Sequence, residues 1–248
     1  MRFMLRLSQM ATAVCVAGLF VPLFASGADP AALRGSTGMS SKDESAKSLV
    51  ILGASYAGGW PSDRPIAGYR VVNKGVGGQQ SFEMLARFES DVIALNPDAV
   101  VIWGFINDIF RSDQVKIDQT LSRTRESMRA MVELAKKSGI TPILATEVTI
   151  RGKEGWREWV EALIGSLLGK SSYQEYVNGH VRETNRWIRD LGAREGILLL
   201  DLERVLADQQ NVRKREYALP DGSHISAQGY DALIRYSEER LKASLSSG

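Results

Sequence analysis

The chain has 248 residues, 44% of them hydrophobic, which is enough for one α/β domain whose core folds without disulfide support once a leader is set aside. A formal charge of +2, with acidic and basic residues nearly balanced, provides no strong field and argues against nucleic acid or an anionic membrane as the main partner. Cys15 is the one cysteine and falls in the leader, so a disulfide, a thiol nucleophile and a cysteine-ligated metal are excluded from the mature chain.

Arg2 and Arg6, the mostly apolar run from Met10 to Ala25, and the small residues Ser26, Gly27 and Ala28 read as an export signal over residues 1–28. Pro22 breaks that run, which is short for a span of about 20 residues, so no stable membrane span is expected after cleavage. Thr12-Ala13-Val14 ahead of Cys15 lacks the usual pattern for lipid attachment. Residues 29–46, rich in Ser, Gly and charge, are expected to be a flexible linker. The domain is expected over 47–248, in a secreted or periplasmic protein.

Ser48 to Leu52 is the first short apolar run and ends at Gly53-Ala54-Ser55-Tyr56. A serine at the carboxyl end of a buried strand can face a ligand crevice, although a turn or cap residue has the same setting. Neither the Gly-x-Ser-x-Gly elbow nor a P-loop is present, since Ala57 follows two after Ser55 and no Gly-Lys-Ser/Thr occurs nearby. Tyr69 to Val72 is a second, weaker run, followed by Asn73-Lys74-Gly75-Val76-Gly77-Gly78 and a helix expected to start near Ser81. Glycines there can turn backbone amides toward an anion or form a plain turn.

Ala99 to Trp103 is the third run, ending in Gly104-Phe105-Ile106-Asn107-Asp108. Asn107 can donate to an oxyanion, or Asn107 and Asp108 can cap the next helix. Ile117, Leu121, Met128, Met131, Val132 and Ala135 then recur at helical spacing, with Gly139 as a stop. Ile140 to Ala145 and Ile197 to Leu200 are the fourth and fifth runs. Continuous apolar runs alternating with helices predict a mainly parallel five-stranded sheet in a three-layer α/β/α sandwich. Between the last two runs, residues 154–176 carry Trp156, Trp159 and Leu168 at helical spacing, as a lid or substrate wall or as a helix packed on the sheet.

The chain has two histidines. His180 lies in a polar, helical stretch and reads as a surface residue. His224 follows Asp221 by three residues in a turn before a C-terminal helix bearing Leu233, Ile234 and Leu241. An aspartate so placed can reach one imidazole nitrogen and orient the ring as a general base.

Taken in order, Gly53-Ala54-Ser55, Asn73 to Gly78, Asn107-Asp108 and Asp221 to His224 resemble the four blocks of the SGNH (GDSL-like) hydrolase superfamily, over Ile51 to Tyr230. The resemblance implies the flavodoxin-like fold of that superfamily, with Ser55 as nucleophile, His224 as base and Asp221 as its orienter. It further implies an oxyanion hole from the Ser55 and Gly78 amides and the Asn107 side chain, with no metal or other cofactor. Three departures stand out: Ala54 in place of the usual Asp, Tyr56 in place of the common Leu, and Gly104 one residue further from Asn107 than usual.

The expected activity is a serine esterase acting on a small-molecule or polysaccharide ester, short acyl groups on a carbohydrate foremost. A lipid-directed esterase, lysophospholipase or thioesterase is the alternative, and a non-catalytic carbohydrate-binding or envelope-assembly protein a second. Trp60, Trp103, Trp156, Trp159 and Trp187 fit either stacking on sugars or core packing.

Overall fold

The computed structural model describes residues 47–152 and 173–246. The signal and linker expectations, most of the segment at 154–176, Trp156 and Trp159 lie outside those residues.

Five strands form one sheet: β1 (Ser48–Gly53), β2 (Arg70–Gly75), β3 (Ala99–Trp103), β4 (Thr141–Ala145) and β5 (Leu198–Leu200). Every pairing is parallel, and the order is β2-β1-β3-β4-β5. This is the doubly wound order in which the chain leaves β1 to one side and returns to β3 on the other, opening a crevice beyond their carboxyl ends. Register makes that crevice compact, because Gly53 pairs with both Gly75 and Trp103. The three segments that follow β1, β2 and β3 therefore emerge side by side.

Both faces of the sheet are covered, as continuous apolar strands require. Leu49, Ile51, Val101 and Trp103 converge with Trp60, Ile66, Leu202 and Leu241 on one face. Leu202 opens the short α7 (Leu202–Leu206), and Leu241 belongs to α8 (Ala227–Leu245), which Ser226 caps by accepting from Gly229 N at 3.2 Å. The other side carries α2 (Ser81–Ala86), α3 (Phe88–Asp91), α5 (Ile117–Lys137) and α6 (Tyr173–Glu195). Within α5, all six of the apolar residues at helical spacing are buried, so the periodicity marks its sheet-facing stripe. Loss of one such side chain, Met131 for example, costs about 2–5 kcal/mol.

Trp60 and Trp103 are core residues, packed edge to face at 6.0 Å, and are no platform for a sugar. His180 is half-buried on α6, its ring 4.7 Å from that of Tyr176 and its Nδ1 3.6 Å from Glu183, so the reading of an exposed surface residue is corrected to a partly buried one. Among the described residues no helix is long and apolar enough to cross a membrane.

Candidate active site

Ser55 opens α1 (Ser55–Gly58), a single turn immediately after β1. Asn73 holds that turn against β2: its Nδ2 donates to the carbonyls of Ala57 at 2.8 Å and Trp60 at 2.7 Å, while its Oδ1 accepts from Gly75 N at 2.8 Å. The asparagine of the glycine block thus positions the serine turn. Gly78, at φ +78, bends the chain in a conformation that side chains disfavour. Neither the Ser55 nor the Gly78 amide is bonded to another described residue, which leaves both able to donate to an oxyanion.

Asn107 lies inside α4 (Ile106–Phe110), and the helix begins without a side-chain cap of its own. The capping reading of Asn107 and Asp108 is therefore corrected. Asn107 Nδ2 donates to the Gln79 carbonyl at 2.9 Å, directly beside Gly78, and its second amide hydrogen remains for an acceptor. Gly104, at φ +145, brings the chain so near the serine turn that a Cβ would lie 3.1 Å from Ala54 N.

Two buried carboxylates hold this region. Glu147, just past β4, accepts from Phe105 N at 2.9 Å and Ile106 N at 3.2 Å, capping α4 from outside the helix. Asp108 accepts from Ser81 N, Ser81 Oγ and Thr124 Oγ1 at 2.7, 2.8 and 3.1 Å. Burial raises both carboxyls above their ordinary values, and the hydrogen bonds they accept act in the opposite direction.

His224 sits in a tight turn in which Leu219 N donates to its carbonyl at 2.9 Å. Asp221 Oδ2 lies 2.6 Å from His224 Nδ1, and Oδ1 accepts from the amides of Ser223 and His224, both at 2.9 Å. Partial desolvation alone would raise the Asp221 carboxyl; the bonds from His224 and Ser223 outweigh it and bring it down to about 2. A carboxylate on Nδ1 fixes the proton there and leaves Nε2 free to act as a base.

The serine and histidine turns meet through their neighbours. Tyr56 Oη donates to the Ser223 carbonyl at 2.6 Å, and the Tyr56 and His224 rings are 6.4 Å apart, edge to face. Among the described residues no hydrogen bond joins Ser55 to His224 itself. All five candidates, Ser55, Gly78, Asn107, Asp221 and His224, belong to segments linked in this way beyond the carboxyl ends of the strands.

Sequence reasoning missed Glu147 and Arg213, and also Asn178 and Asn185 of α6. Each of these asparagines pairs like a strand with the segment after β4: Asn185 with Glu147 N and O at 2.8 and 2.7 Å, Asn178 with Ile150 N and O, both at 2.8 Å. A glutamate two residues past an apolar run was a legible signal. Two amides seven residues apart on a mostly polar helix were not.

The GDSL-like lipase/acylhydrolase family matches residues 51–232, so the chain belongs to that family and is an ester-hydrolysing enzyme. It is 25% identical over 169 residues to YqeF, an uncharacterized lipoprotein of Bacillus subtilis, covering 64% of this chain and 68% of that one. It is 36% identical over 94 residues to an acetylxylan esterase of Geobacillus stearothermophilus, a match that spans 36% of this chain and 43% of the esterase. Among solved structures, a GDSL-like lipase from Bacteroides thetaiotaomicron superposes with a TM-score of 0.60 at 23% identity, covering 80% of this chain and 89% of that one. An acetylxylan esterase from Geobacillus stearothermophilus superposes with a TM-score of 0.59 at 20% identity, covering 79% and 94%. Both share the fold.

Proposed function

We propose that the chain is an exported serine esterase that removes short acyl groups, acetyl foremost, from a carbohydrate. The observation that carries the reading is the His224 Nδ1 to Asp221 Oδ2 contact at 2.6 Å, in a turn tied to the residue after Ser55. In this reading Ser55 Oγ attacks the ester carbonyl while His224 Nε2 takes its proton. The tetrahedral oxyanion is held by the Ser55 and Gly78 amides and by Asn107 Nδ2. As the intermediate collapses, the imidazolium gives its proton to the departing alkoxide. Water, deprotonated by the same imidazole, then attacks the acyl-enzyme and frees the carboxylic acid and Ser55.

The partial match to an acetylxylan esterase supports an acetylated sugar as substrate. Export rests on the basic, apolar and small-residue succession of residues 1–28, with 29–46 as a tether, and is supported by the lipoprotein relative. Purified enzyme assayed on an acetylated xylo-oligosaccharide and on acetyl, butyryl, octanoyl and dodecanoyl p-nitrophenyl esters tests the substrate. The expected result is acetate release from the sugar and rates that fall beyond butyryl. Rates that peak at octanoyl or longer, with no acetate released, overturn this reading in favour of a lipid-directed esterase.

A further inference from the structure

Tyr56 replaces the leucine common at this position of the family, and its hydroxyl makes two bonds that a leucine cannot. It donates to the Ser223 carbonyl at 2.6 Å and accepts from Arg213 Nη2 at 2.9 Å. Arg213 Nη1 donates to the same Ser223 carbonyl at 2.8 Å, and Arg213 Nε to the Thr149 carbonyl at 2.8 Å. The guanidinium lies 5.1 Å from the centre of the Tyr56 ring. Tyr230, on α8, closes the set by donating to the Tyr56 carbonyl at 2.9 Å.

Arg213 is 0% exposed, and among the described residues no carboxylate is hydrogen-bonded to its side chain. Glu147, itself fully buried, is the opposite charge felt at a distance. Burying a guanidinium on neutral acceptors is costly, so packing alone is a poor reason for it. All three of its bonds instead fall where the serine turn, the histidine turn and the segment after β4 meet. Tyr56 follows Ser55 directly and Ser223 directly precedes His224, so the Tyr56-Ser223 bond couples the two turns through one residue on each side. With no bond between Ser55 and His224 themselves, these neighbours set their mutual register.

We propose that Tyr56 and Arg213 are positioning residues that hold the His224 imidazole in register with Ser55 Oγ, a role that rests on the reading of Ser55 as nucleophile and His224 as base. Neither touches the substrate. A leucine at this position leaves the alignment to other contacts, whereas this chain fixes it with a buried polar clamp.

The test compares wild type, Tyr56→Phe, Arg213→Lys and the double variant, using p-nitrophenyl acetate kinetics and the rate at which a fluorophosphonate labels Ser55. Tyr56→Phe keeps the ring against Trp103, 6.1 Å away, and removes one hydroxyl. The expected result is a loss of about tenfold in kcat and in labelling rate, with KM held within about twofold. The double variant is expected to be slower than either single one, because each single change leaves one donor on the Ser223 carbonyl and only the double releases it. A Tyr56→Phe enzyme that labels Ser55 within about twofold of wild type overturns the positioning role. Should that variant fail to fold, Arg213→Lys is judged by the same criterion. Wild-type enzyme that leaves Ser55 unlabelled overturns the underlying assignment instead, so the two failures are distinguishable.

Discussion

Ser81 donates its hydroxyl to Asp108 Oδ1 at 2.8 Å and its amide to Oδ2 at 2.7 Å, so one buried carboxylate ties the start of α2 to α4. This joins the end of the glycine loop to the helix that carries Asn107. Asp108→Ala leaves the Ser81 amide and hydroxyl without an acceptor, while the Thr124 hydroxyl keeps the Thr120 carbonyl. The expected cost is about 3 kcal/mol in urea unfolding with an unchanged m-value, and Asp108→Asn, which keeps one acceptor, is expected to cost less.

Asn107→Ala removes the side-chain donor that the proposed mechanism assigns to the oxyanion. The expected effect is a fall of roughly 100- to 1,000-fold in kcat, with KM changed by about threefold or less, because the interaction is made in the transition state. Loss of the bond to Gln79 adds only about 1 kcal/mol of instability, so a thermal melt separates the two effects.

Much of the fold was legible because parallel strands buried on both faces leave unbroken apolar runs. Ala99–Trp103 is the third strand with the same bounds in sequence and structure, and the stripe from Ile117 to Ala135 lies on the buried face of α5. Ser55, Gly78, Asn107, Asp221 and His224 could be named as candidates because four short blocks, each ambiguous alone, follow one another in a fixed order along the chain. The residues that support them could not. Arg213 sits in an irregular polar stretch where its charge reads as solvated, yet it is buried. Asp108 and Asn107 looked like caps because local sequence cannot reveal a glutamate 40 residues away, and Glu147 does that capping from just past β4.

Asn178 and Asn185 each close a two-bond pair with the segment after β4, and replacement strands a buried N–H and C=O. Asn178→Leu and Asn185→Leu are each expected to cost about 2 kcal/mol by chemical denaturation. They lie two helical turns apart without a shared partner, so the double variant is expected to be additive within about 0.5 kcal/mol. Asn185→Leu is also expected to lower kcat, since Glu147 holds the amides preceding Asn107.

Asp221 titrates at about 2 in the folded chain against 3.8 ordinarily, so its contribution to stability is present above 3.8 and is lost as pH falls through about 2. Asp221→Asn is therefore expected to lower the thermal midpoint near neutral pH, and the difference from wild type shrinks steadily once the pH drops below 3.8. The side chain is 44% exposed, so solvent screening keeps that stability difference small. Activity is expected to fall far more than stability, because the wrong imidazole tautomer is then favoured.

In the proposed mechanism Ser55 is the attacking group and His224 draws off its proton. Intact-mass and peptide mass spectrometry after treatment with a fluorophosphonate measures this directly. The expected result is one phosphonyl adduct, on Ser55, formed rapidly by wild type and absent from Ser55→Ala and from denatured protein. An adduct on another residue, or Ser55→Ala that hydrolyses p-nitrophenyl acetate at the wild-type rate, contradicts it.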